Sequence, residues 1–180
     1  MTKRLSVPLL LLGLSALAFG IQVYWLGYYL DDWVVLYNIF RGGYERLAAY
    51  SFAVNRPYGA WPWWLGFKLL GYSPLGWQIW SIFWRWLTSV FLWAAFTKIW
   101  PEKKLQIALA SALFVVYPIF LQQTNSVTFS DHWICFTLYA ASILCTVLAI
   151  QNRRFFLPLT GLALIFSGLE LFALEYFVGL

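Results

Sequence analysis

Residues 7–29 read VPLLLLGLSALAFGIQVYWLGYY, and Leu30, Asp31, Asp32 and Trp33 follow at once. No charged side chain interrupts the run. A bilayer core about 30 Å thick is crossed by roughly 20 residues of helix rising 1.5 Å each. The run therefore predicts a first transmembrane span, preceded by Lys3 and Arg4. It is longer than the apolar region of a signal peptide and has no small-residue cleavage site, so it reads as a retained anchor. Tyr24, Trp25, Tyr28 and Tyr29 are rings of the kind that gather at headgroup level, which sets the membrane surface there and the two aspartates at its edge.

The rest of the chain repeats this chemistry. It is 62% hydrophobic, 22% aromatic and 11% charged, with a mean hydropathy of +0.71. A soluble domain carries about 25% charged residues. The expected fold is all-α: a polytopic transmembrane bundle of about five spans, with interfacial helices in its first external loop. After span one (7–29) comes that loop, 31–74. It holds two short amphipathic pieces, Trp33 to Phe40 and Tyr44 to Val54, separated by Gly42-Gly43. Tyr58 to Leu70 is apolar but short and reads as a re-entrant or interfacial helix, closed by the turn Gly71-Tyr72-Ser73-Pro74. Spans two to five are expected at 75–97, 105–121, 132–150 and 155–180. The last carries Glu170 and Glu175 and stops on Gly179-Leu180 with no polar tail, an ending expected of the N-terminal fragment of a longer chain.

Charge orients the bundle. With the N-terminus cytoplasmic, Lys3, Arg4, Lys98, Lys103, Lys104, Arg153 and Arg154 all fall inside, accompanied by Glu102 alone among acids. That satisfies the positive-inside rule and turns Asp31 and Asp32 to the exterior. The net charge of +5 is scattered in short clusters between apolar runs, a topology signal rather than a nucleic-acid stripe. Cys135 and Cys145, ten residues apart on one expected helix, are separated by about 15 Å, too far for a disulfide.

Few residues carry chemistry. One of the Asp31-Asp32 pair is needed as a cap for the helix starting at Trp33. The other, beside a lipid surface, is a candidate general base whose pKa partial desolvation would raise. Arg56, in Asn55-Arg56-Pro57, either snorkels or clamps a phosphate with paired donors. Arg85, about 12 Å deep in span two, needs a partner or a polar cavity, and Glu170 at similar depth is the expected ion-pair partner. Asp131 and His132 open span four. His132 is the only histidine, so no histidine-based metal cluster is expected. Asp131 either caps span four or shares a divalent cation with Asp32 and a lipid phosphate.

The order of these parts resembles the GT-C superfamily of integral membrane glycosyltransferases. Leu30-Asp31-Asp32-Trp33 is similar to their first-loop acidic motif. Asn55-Arg56-Pro57, the Leu70 to Gly76 turn and Leu113-Phe114-Val115-Val116-Tyr117-Pro118 resemble the bacterial and TMTC-like branches. The second external loop departs from the pattern in holding a lone Asp131. The resemblance implies a bacterial inner-membrane enzyme that transfers a sugar from a polyprenyl-phosphate donor to an acceptor on the outer face. Asp31 or Asp32 would be its base, with Arg56, Arg85, Asp131 and His132 around the substrate and no nucleic-acid partner. Full-length protein is expected to be active and the 180-residue piece alone inactive. The alternative is a non-enzymatic polytopic protein, transporter-like or structural.

Overall fold

The computed structural model describes residues 6–117 and 122–174. These form seven α-helices, and no strand occurs among them: α1 Ser6–Phe19, α2 Asp32–Ala53, α3 Ala60–Leu70, α4 Pro74–Ile99, α5 Lys104–Val116, α6 Ser130–Gln151 and α7 Phe156–Leu171. α4, α6 and α7 (the last with the 3-10 turn Arg153–Phe155 before it) are long and apolar enough to cross a membrane. Their outer faces suit lipid. Leu157, Leu164 and Ile165 on α7 and Leu9, Leu10 and Leu17 on α1 all lie exposed, more contiguous apolar surface than water-facing helices carry.

α6 is the central element, packed along both α4 and α7, while α1 lies against α4 and α5. Buried polar contacts stitch these helices. Thr88 and Thr137 share a hydroxyl–hydroxyl bond of 2.7 Å between α4 and α6, and Trp86 donates its indole N–H to the Pro8 carbonyl of α1 at 2.9 Å.

The first apolar run is not one helix. α1 ends at Phe19 after 14 residues, and a 3-10 turn, Gly20–Gln22, follows. Residues 23–30 contain turns but no helix. Gly20 and Gly27 weaken a helix continuing to Tyr29. α5 is also short, at 13 residues. It ends where Tyr117 turns extended, while the expected remainder of span three, 118–121, lies outside the described residues. So do Lys3, Arg4, Glu175 and Gly179-Leu180.

The long loop follows its sequence signals more closely. α2 is broken at Gly42 and Gly43, the latter at φ 59° and ψ −146°, a conformation open in practice to glycine alone. On its first half Asp32, Val35, Leu36 and Ile39 are buried while Trp33, Tyr37 and Phe40 stand exposed. α3 spans 11 residues, too few to cross a bilayer. Gly71 ends it at φ 59°, and Ser73 then caps α4 by accepting the Gly76 N–H at 3.2 Å with Pro74 as first helical residue.

Candidate functional site

Asp31 and Asp32 part company at the start of α2. Asp31 is exposed and makes no side-chain cap bond. Asp32 is fully buried and does not cap its helix either. Its Oδ1 accepts the Thr128 backbone N–H at 2.8 Å and the Thr128 hydroxyl at 2.9 Å, a residue 96 positions away. Burial pushes the Asp32 carboxyl up to about 6, while the two Thr128 donors favour its ionised form.

Thr128 belongs to the loop between α5 and α6, which α2, α3 and α4 grip. Asp32 of α2 holds Thr128, Trp63 of α3 donates its indole N–H to the Thr128 carbonyl at 3.3 Å, and Gln78 of α4 donates to the Thr124 carbonyl at 3.3 Å. Gln123 returns a bond to the Gln78 side-chain oxygen at 2.9 Å. The grip fixes where α6 begins, and with it Asp131.

α6 starts at Ser130, two residues before His132, so Asp131 sits in its first turn. The Asp131 carboxylate is 1% exposed. Oδ1 accepts the His132 N–H at 2.6 Å and faces the His132 ring Nδ1 at 2.5 Å, while Oδ2 lies 3.9 Å from an Arg56 guanidinium nitrogen. Asp131 is therefore not the cap of α6: Phe129 holds that position with no side-chain cap bond, and the Asp131 carboxylate is turned to His132 and Arg56. Arg56 itself is held by its backbone: Ser51 Oγ donates to the Arg56 carbonyl, and Asn55 just before it adopts φ 62°.

Tyr50 is the residue the sequence reading missed. Asp31, Arg56 and Asp131 all act electrostatically on its hydroxyl, and burial together with the two carboxylates raises its pKa. These residues therefore form one cluster: Asp31 and Tyr50 from α2, Arg56 from the following loop, and Asp131 and His132 from α6. An alternation of Tyr with charge along α2 was the only available signal for Tyr50.

Arg85 stands apart from that cluster. It is buried in α4, with its guanidinium carbon 3.7 Å from the Phe19 ring centroid and 4.5 Å from that of Trp133, a cation–π sandwich. Glu170 is buried too, but the two make no ion pair, so the expected Arg85–Glu170 bridge does not form. Similar depth fixes height along two helices, not the faces they turn to each other. Among the described residues no group of three or more His, Cys, Asp or Glu side chains is arranged to hold a metal. Thr128 and His132 engage only Oδ1 of Asp32 and Asp131; Oδ2 of each is buried without a hydrogen bond among the described residues.

An apolar groove of about 590 Å³ opens beside the cluster, lined by Tyr58, Trp61, Leu164, Gly168 and Phe172 among others. It begins two residues beyond Arg56. Gly59, the residue after Tyr58, is packed so tightly that a Cβ would meet the Ala173 carbonyl oxygen at 3.0 Å. No family model, curated protein or solved structure matches this chain.

Proposed function

We propose that this chain belongs to a membrane glycosyltransferase that moves a sugar from a polyprenyl-phosphate donor to a hydroxyl acceptor at the extracytoplasmic face. One observation carries the reading: an exposed carboxylate (Asp31) and a guanidinium (Arg56) share the surroundings of Tyr50, next to an apolar groove between α3 and α7. A lipid-linked sugar phosphate has the matching parts, an isoprenoid chain for the groove and an anionic link for the arginine.

In the reaction the acceptor oxygen bonds to the anomeric carbon. The carbon–oxygen bond to phosphate breaks with its electron pair, and the acceptor proton passes to a carboxylate. Asp31 is the base in this proposal because it is open to an acceptor, whereas Asp32 is enclosed and hydrogen-bonded to Thr128. Geometry outranks the raised pKa of Asp32 here, since a base must first reach the proton it takes. Arg56 offsets the charge growing on the departing phosphate. Five crossings in a bacterial inner membrane, with α1 and α5 joining the three long helices, would put this cluster outside and Lys98, Lys103, Lys104, Arg153 and Arg154 inside.

The test is transfer of radiolabelled sugar from a synthetic polyprenyl-phosphate donor by membranes containing the protein expressed from its complete gene. Arg56→Gln should lower kcat/KM by about 10- to 100-fold, the worth of one charge-assisted contact, and Arg56→Lys should recover only part of it. Unchanged transfer in Arg56→Gln would remove the phosphate clamp from the proposal.

A second reading, a non-enzymatic transporter-like module, draws on the buried row Gln78, Ser81, Arg85, Thr88 and Ser89 along one face of α4. Much of that row is spent on contacts between and within helices, Thr88 with Thr137 and Ser89 with the Arg85 carbonyl. Enzyme chemistry is therefore the better account.

A further inference from the structure

The end of the bundle remote from Asp31 holds a cavity of about 860 Å³, within the roughly 300–1,000 Å³ range of small-ligand sites. Its walls come from the start of α1, the ends of α4 and α6, and the α4–α5 turn with the first residue of α5. Val7, Trp93, Ala94 and Pro101 make an apolar side, and Lys98 and Lys104 line it with charge. Among the described residues no carboxylate lines it. The same end carries Lys103, Arg153 and Arg154 against Glu102 alone. The rim is fixed rather than loose: Gln151 at the end of α6 donates its side-chain N–H to the Lys98 carbonyl at 2.9 Å, tying α4 to α6 beside that lysine.

We propose that this cavity binds the headgroup of an anionic phospholipid. The phosphate lies between Lys98 and Lys104, and the glycerol and first acyl carbons lie on Trp93, Ala94 and Val7. Lysines act as point charges rather than two-pronged clamps, which suits a mobile lipid phosphate. The apolar wall favours a lipid over free phosphate, because an inorganic anion has nothing to place against Trp93. The position matches, since basic pockets between transmembrane helices bind acidic headgroups, and this one opens at the ends of two helices long enough to cross the bilayer. The site is separate from the Asp31 cluster and stands whether or not sugar transfer does.

The experiment is native mass spectrometry of the delipidated full-length protein titrated with phosphatidylglycerol or phosphatidylcholine. Wild type should retain phosphatidylglycerol about tenfold more strongly. Lys98→Gln/Lys104→Gln should lose that preference, Lys98→Arg/Lys104→Arg should keep it, and Lys103→Gln, outside the cavity, should leave it intact. Ala94→Phe fills the cavity from its apolar side and should abolish retention with no change of charge, which keeps the test open if the double lysine variant fails to fold. Equal retention of the two lipids by wild type would overturn the proposal. So would undiminished phosphatidylglycerol binding in Ala94→Phe, or an equal loss in Lys103→Gln. Release of the lipid by millimolar inorganic phosphate would also overturn it, by assigning the lysines to a free anion.

Discussion

Asp31 and Asp32 are adjacent in sequence yet point about 100° apart around α2, and that angle divides their work. Asp32 faces inward and ties α2 to Thr128; Asp31 faces out. The division has a thermal signature. Asp32→Ala strips Thr128 of its acceptor and should cost about 1–3 kcal/mol, read as a lower melting temperature in detergent, whereas Asp32→Asn keeps an oxygen for both donors and should fold near wild type. Because the folded pKa of Asp32 stands at about 6 against an ordinary 3.8, the native state holds the proton more tightly than the unfolded chain. Its contribution to stability is therefore present below about pH 4 and is lost as pH rises through 6. Wild type measured against Asp32→Asn should show that decline, and parallel pH curves would contradict it. The pair itself was legible in the sequence, but its division was not, because the deciding partner lies 96 residues away.

At the scale of elements, the α3–α4 hairpin stands on a contact between a glycine and a ring. Gly66 lets α3 lie directly on Trp77, which is fully buried, packed 4.8 Å from Phe67 and bonded through its indole N–H to the Gly71 carbonyl at 3.0 Å. A Cβ at Gly66 would run into the Trp77 ring, so Gly66→Ala should destabilise by about 1–3 kcal/mol. A melting temperature equal to wild type would count against this packing. The sequence exposed the break at Gly42-Gly43 because paired glycines punctuate a helix wherever they fall. It could not expose Gly66, whose reason is a ring on another helix. Span one was overextended for a related cause. Apolar composition runs to Tyr29, but helix ends at Phe19, where the ring turns onto the Arg85 guanidinium. Composition reports what lipid tolerates, not where hydrogen bonding stops.

The whole molecule has two unlike ends: one of mixed charge and rich in aromatics around Asp31, Tyr50, Arg56 and Asp131, and one basic around Lys98, Lys104 and Arg153. That polarity was readable from charge spacing alone, since loops alternate along the chain. With Cys135 and Cys145 replaced, Glu45→Cys should react with an impermeant maleimide on intact cells, and Glu102→Cys should react only after permeabilisation. The reverse pattern would put the Asp31 end in the cytoplasm. The cluster's membership was harder to read, because it gathers side chains from α2, the loop after it and α6. The most direct test of the account compares sugar transfer from a polyprenyl-phosphate donor by Asp31→Asn and Asp32→Asn membranes at equal protein level. Loss of a general base costs about 10²- to 10⁴-fold in rate. Asp31→Asn should fall by that much while Asp32→Asn keeps most of its activity; full transfer by Asp31→Asn, or a collapse confined to Asp32→Asn, would contradict the account.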